Sequence, residues 1–279
     1  LLFAIILISG ANLSTTGAVL ATILSAGFAL FFMCNQLRFR ATPNYNFSET
    51  TKKMLGYGLW VQLANMIQAM QYRLDIFLVN LWSGTEQLAF YSIALAITES
   101  LRLIPGALGQ ALFPELSSLK QVIATVAVPR IHRRLMLVMI LPAAAMYYSL
   151  PYVVELLYSA KYLEVIAPAQ VLTIAVFLLL IAMPFSTYFA AHNQVRTNVL
   201  ISTVTTAGMI GLDVLWIPQY GILGAAWASL FAYGSTSVLA ILVFAKRTKQ
   251  PKNFLWLLPT KKELALFGEF MKSAKSSTR

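Results

Sequence analysis

Charge is what this sequence lacks most. Only 11% of its 279 residues are Asp, Glu, Lys or Arg, whereas a soluble domain carries about 25%. Apolar residues make up 58% and the mean hydropathy is +0.71, which excludes a soluble domain and indicates an integral membrane protein. Cysteine occurs once, at Cys34, so neither an internal disulfide nor a cysteine metal set can form. The two histidines, His132 and His192, lie far apart near segment ends and read as ordinary interfacial residues. There is no Gly-rich loop followed by Lys-Ser/Thr, no HExxH and no paired-cysteine motif. The longest polar connections, 35–53 and 120–134, leave no room for a catalytic domain. No nucleophile, metal site or cofactor is nominated, and an enzyme is not expected. Leu1 opens directly into the apolar run LLFAIILISG without a basic stretch before it. That reads as the second half of a helix, in a fragment lacking an N-terminal portion, rather than as a signal peptide.

What is present is a series of apolar runs of helical period, each near the roughly 20 residues needed to cross hydrocarbon. Besides residues 1–9, seven spans are predicted: 15–33, 54–81, 87–113, 135–159, 166–191, 198–217 and 221–245. Of the 21 Lys+Arg residues, 18 fall on one side of this alternation, in the connections and in the tail after residue 245. Lys161 alone lies on the other side, and Arg73 and Arg102 lie within spans. The positive-inside rule makes the rich side cytoplasmic and explains the net charge of +11 without nucleic acid. In the tail, Leu264, Phe267 and Met271 share one helical face between lysines. They suit either an amphipathic helix on the anionic leaflet or a basic unstructured tail.

The stretch MQYRLDIFLVNLW places Arg73 and Asp75 at membrane depth. With Asn65 as zero and about 100° per residue, Gln62, Asn65, Gln68, Tyr72, Arg73, Asp75 and Asn80 fall between about 280° and 80°, opposite an apolar face. The next span adds Ser92, Glu99 and Arg102, and Glu99 and Arg102 can pair at i,i+3. A charge at the bilayer centre costs roughly 2.5–3.5 kcal/mol, so two readings stand. In one, ion pairs staple the helices, with Asp75 meeting Arg102 or Arg73 meeting Glu99. In the other, a hydrated cavity lined by Arg73, Arg102, Asn65, Gln68 and Tyr72 takes an anionic substrate, while Asp75 or Glu99 couples transport to protons or cations. Arginine suits phosphate because its planar fork donates two parallel bonds. Gly221, Ala225, Ser229 and Ala232 read as close helix packing, and Pro105, Pro142, Pro168 and Pro184 as kink positions.

The segments RLDIFLVNLWSGTEQLAFYSIA (73–94), LIPGALGQALFPELS (103–117) and IPQYGILGAAWAS (217–229) resemble the polysaccharide (O-antigen and exopolysaccharide) flippases of the MATE-like superfamily, which includes the lipid II flippases. The resemblance implies an all-α membrane protein, a multi-span helical bundle of two six-helix lobes. Residues 54–245 would form the second lobe, 1–34 the end of the first, 35–53 a cytoplasmic linker and 246–279 a cytoplasmic tail. It also implies flipping of an undecaprenyl-pyrophosphate-linked oligosaccharide across the cytoplasmic membrane, with membrane lipid and the polysaccharide polymerase machinery as further partners. The alternatives are a MATE-type drug or small-solute exporter and a membrane-embedded glycan polymerase, although the outward loops are short for the latter.

Overall fold

The computed structural model describes residues 20, 23–29, 31–32, 47–158, 160–251, 253–261, 263–265 and 267. The run 1–9, most of the linker 35–53, Cys34 and Met271 lie outside them. The described residues are helix and connecting turns, without a strand. The chain divides into two compact units, 1–52 and 53–279. In the first unit the described residues between 20 and 32 are helical and exposed.

Among the described residues from 47 to 248 there are six α-helices: α1 (Phe47–Glu99), α2 (Leu103–Ser118), α3 (Gln121–Tyr158), α4 (Ile166–Ile181), α5 (Met183–Ala191) and α6 (Val195–Thr248). Three stretches are long and apolar enough to cross a membrane, namely Gln121–Tyr158, Lys161–Ala191 and Val195–Thr248. Met54–Arg102 with Gly106–Ser118 forms a further, bent pair.

The two longest helices each reverse at a glycine. Gly84 sits at φ 81° and Gly221 at φ 57°, in the left-handed half of backbone space that glycine occupies at no steric cost. The reversals show in the contacts. Asp75 and Tyr91 are 16 residues apart yet 2.6 Å from each other, where straight helix would separate them by about 24 Å. Thr205 and Thr236 meet at 2.9 Å across 31 residues of α6. With the turn at Ala160–Val165, residues 54–248 make six antiparallel passes. One end carries these turns; the other carries Lys120, Arg130, Arg133, Arg134, Arg196 and Arg247. We call them the turn end and the basic end.

The core is layered between the two. Near the turn end, Val79, Phe90, Tyr91, Val154, Leu172 and Ile222 pack together. Leu101, Met139, Val176, Met209 and Tyr233 fill the middle. Phe185, Tyr188, Phe189, Ile201 and Phe244 fill the basic end. The two legs of α6 touch backbone to backbone. A methyl placed on Gly224 would lie 2.7 Å from the carbonyl carbon of Trp216 and 3.1 Å from the amide nitrogen of Ile217.

One boundary differs from the sequence reading. Residues 121–134, read as polar connection, are the first turns of α3. Ala124, Val128 and Pro129 on that segment are buried, so its basic residues are the outer face of a packed amphipathic turn. His132, read as interfacial, is also buried, with Nδ1 2.6 Å from the Ile181 carbonyl. Among the predicted kink positions, Pro184 stands in the first turn of α5, just past the break at Ala182, where a missing N–H costs nothing.

Beyond α6 the chain folds back onto the basic end. Arg133 grips Glu263 bidentately, Nε to Oε2 at 2.8 Å and Nη2 to Oε1 at 3.0 Å, and donates from Nη1 to the Trp256 carbonyl at 2.8 Å. Thr260 completes a capping box, its N–H and hydroxyl donating to Glu263 Oε2 at 2.9 and 2.8 Å. Trp256 packs on Phe185 and Phe244. Leu264 is exposed at the start of the short helical stretch that follows.

Candidate functional site

Polar side chains run through the bundle as a column from the basic end to the turn end, and α1 supplies its spine. Asn65, Gln68, Gln71 and Asp75 recur at spacings of three and four and fall within about 120° of one helical face.

At the basic end this face meets a cavity of about 900 Å³ bounded by α1, α2, α4, α5 and both legs of α6. Asn65, Gln68, Gln110, Asn198, Ser202 and Thr236 supply most of its polar lining, and Phe113, Leu179 and Met183 part of its apolar wall. Trp60 and Arg196 lie beside the lining residues Val61 and Val195, with the Arg196 guanidinium 4.8 Å from the Trp60 ring centroid.

In the middle, Gln71 is buried and donates through Nε2 to the hydroxyls of Thr205 at 3.5 Å and Thr236 at 3.4 Å. Arg102 is half-buried against Tyr233, with Nη2 3.4 Å from the hydroxyl and the guanidinium carbon 5.6 Å from the ring centroid.

Toward the turn end lies a buried acid. Asp75 is fully buried; Tyr91 donates its hydroxyl to Oδ2 at 2.6 Å, Ser229 donates to the same oxygen at 3.4 Å, and the Ile76 N–H donates to Oδ1 at 2.7 Å. A second carboxylate, Asp213 on the first leg of α6, is also fully buried and within electrostatic reach of Asp75. Among the described residues neither of its oxygens has a hydrogen-bond partner. Two carboxylates out of water, one of them unsatisfied, are costly unless a proton or a cation joins them.

The residues expected from sequence therefore separate. Asn65 and Gln68 line the cavity, while Asp75 stands deeper in the same column. Arg73 is exposed, about 160° around α1 from Asp75. Arg102 turns to Tyr233, and Glu99 is half-buried. The side chain of Tyr72 lies outside the described ones. Among the described residues none of the expected ion pairs forms. Asp75 takes hydroxyl donors instead of Arg102, and neither Arg73 nor Arg102 reaches Glu99; the ion pairs there are Arg133–Glu263 and Lys161–Glu86. Ser229, read as packing, both packs and donates. Gln71, Asp213 and Tyr233 escaped the sequence reading. Of these, Asp213 carried a usable signal, as the one acidic residue within the apolar run 198–217.

Comparison with known proteins follows this geometry. A family model described as polysaccharide biosynthesis protein matches residues 2–167. A curated protein of Shigella flexneri named "Putative O-antigen transporter" is 26% identical over 224 residues, which cover 76% of this chain and 51% of the relative. The chain thus spans about half the length of that relative. Among solved structures, a crystal structure of a mutant of the Vibrio cholerae MATE transporter VcmN matches with a TM-score of 0.71 at 18% identity, over 90% of this chain and 60% of that one. The bent form of the same transporter gives 0.70 at 18% identity, over 91% and 60%. At such identity the likeness speaks for the fold, an all-α bundle of the MATE type. With more than half of its length matched by the family model, and with helices long and apolar enough to cross a membrane, the chain belongs to the polysaccharide biosynthesis protein family.

Proposed function

We propose that the protein of which this chain forms part moves an undecaprenyl-pyrophosphate-linked oligosaccharide from the inner to the outer leaflet of the cytoplasmic membrane by alternating access. The basic end and the tail face the cytoplasm in this reading, as the lopsided distribution of Lys and Arg favours. The observation that carries it is the polar column. A bundle of apolar helices has no need of a 900 Å³ cavity bordered by amides and hydroxyls and continued inward to buried carboxylates, and the match to a polysaccharide biosynthesis family supports a glycan as the cargo.

Asn65 and Gln68 face the cargo. Arg102, steadied by Tyr233, attracts its pyrophosphate, with Arg73 and Tyr72 on the adjoining turn of α1. Asp75 and Asp213 take up the coupling proton or cation, an assignment favoured by the two unsatisfied oxygens of Asp213; Glu99 adds negative charge on the neighbouring leg. In the intact protein, Arg102→Ala should abolish flipping with normal expression, and Arg102→Lys should restore part of it, since an ammonium lacks the fork.

A second reading, export of a small solute, is favoured by the fold shared with VcmN. Deleting the intact gene separates the two. Lipid-linked oligosaccharide accumulating inside spheroplasts with loss of surface polymer supports the flippase. Normal surface polymer with altered drug susceptibility supports the exporter.

A further inference from the structure

We infer that the cavity at the basic end reads the sugars of the cargo, through the side chains of Asn65, Gln110, Asn198 and Ser202, and leaves its anionic group outside. This rests on the flippase reading and adds which part of the cargo this cavity holds.

The lining decides the matter by its chemistry. Among the described residues it contains no Asp, Glu, Lys, Arg or His. A pyrophosphate taken from water into such a surface would find no guanidinium or ammonium to replace its hydration. A sugar presents the complementary surface, with neutral hydroxyls that both donate and accept, carried on rings with apolar C–H faces. Amides match it because each offers two N–H donors and a carbonyl acceptor. The amides of Asn65 and Gln110 and the hydroxyl of Ser202 line the cavity and make no hydrogen bond within the described protein. Asn198 spends one N–H on the Ser186 carbonyl at 2.9 Å, which fixes the amide and leaves its oxygen as an acceptor. Phe113, 40% exposed on the same wall, offers a ring face to the C–H side of a sugar. The volume, about 900 Å³, lies at the upper end of the range for small-molecule sites and has room for more than one sugar ring. Positive charge appears beside the cavity, where Arg196 is stacked on Trp60.

The test uses the full-length protein in a host lacking its own copy, supplied in turn with its own lipid-linked repeat unit and with a foreign one. The readout is the ratio of surface polymer made from the two. Gln110→Ala and Asn65→Ala, singly and together, delete side chains that make no hydrogen bond among the described residues, so the fold should survive; membrane levels are checked by immunoblot. Two lost sugar contacts should shift the ratio against the native glycan by roughly tenfold. A ratio that stays at the wild-type value overturns the inference, whether both polymers fall together or neither changes. A failure of the flippase reading looks different: the host lacking the protein would itself keep its surface polymer and accumulate no intermediate.

Discussion

The bidentate pair of Arg133 and Glu263 makes the fold-back of the tail a measurable equilibrium. Its perturbation is Glu263→Gln. Arg133, assisted by Thr260, holds the Glu263 carboxyl at about 2, well below its ordinary 4.5. A displacement of that size corresponds to at most about 3 kcal/mol of preference for the latched, ionised state. Water at the edge of the bundle screens part of it, so about 1–2 kcal/mol is the working figure. Because the pKa is depressed on folding, the contribution is complete above pH 4.5 and is lost as pH falls toward 2. At pH 8, Glu263→Gln should raise the population of released tail by about 5- to 30-fold. Trypsin cleavage after Lys249 or Lys261, measured in detergent at low protease, should quicken in proportion. In a variant whose other four tryptophans are replaced by Phe, the emission of Trp256 should hold steady from pH 8 to about 4.5 and shift only below that, since the ring leaves Phe185 and Phe244 when the latch opens. Equal cleavage rates in the wild type and Glu263→Gln, or an emission change centred near pH 6, would refute the reasoning.

Three further outcomes follow from the packing and the column. Gly224→Ala must push against the backbone of Trp216 and should cost about 1–3 kcal/mol, lowering the unfolding temperature in detergent, whereas Gly208→Ala, 3.6 Å from a Phe231 ring atom, should leave it nearly unchanged. Tyr91→Phe removes the 2.6 Å donor to Asp75 and should cost about 1–3 kcal/mol. Combined with Asp75→Asn the loss should be well below the sum, and strict additivity in chemical denaturation would show that the two groups do not act together. In the intact transporter, Asp213→Asn or Asp75→Asn should leave any residual flux independent of the ion gradient; gradient dependence equal to wild type in vesicles would remove both from the coupling step.

Much of the architecture was legible because membrane helices announce themselves one at a time. Apolar length marked each pass, and the alternation of Lys and Arg ordered them. The reversal at Gly84 falls in the predicted break between the runs 54–81 and 87–113, whereas Gly221, read as close helix packing, is itself a turn residue. What failed was the start of α3. QVIATVAVPRIHRR looks like a connection because three arginines crowd its end. Yet its Ala and Val side chains have a surface to bury against, made by Phe185, Phe189 and Phe244 from helices far along the chain, and that contact carries the helix ten residues and more past the predicted boundary.

The site was legible only in part for the same reason. Periodicity assigns side chains to a face but says nothing about how wide the buried sector is. The polar arc drawn on α1 ran from about 280° to 80° and included Arg73; the buried side chains Gln71, Asp75 and Val79 span only about 240° to 320°, which keeps Asp75, admits Gln71 and excludes Arg73, while Asn65 and Gln68 stay exposed to the cavity. Partners are harder still. The side-chain donors to Asp75 stand 16 and 154 residues away, and both are hydroxyls, so a search for opposite charges at helical spacing pointed to Arg102 and Glu99 instead. Asp213 had no partner on its own helix and so drew no notice, although an isolated acid in an apolar run is costly unless another pass answers it. Here the answer is a second carboxylate near it, an arrangement that costs stability rather than adding it. That cost is the physical reason to look for function at the turn end of this bundle as well as in the cavity.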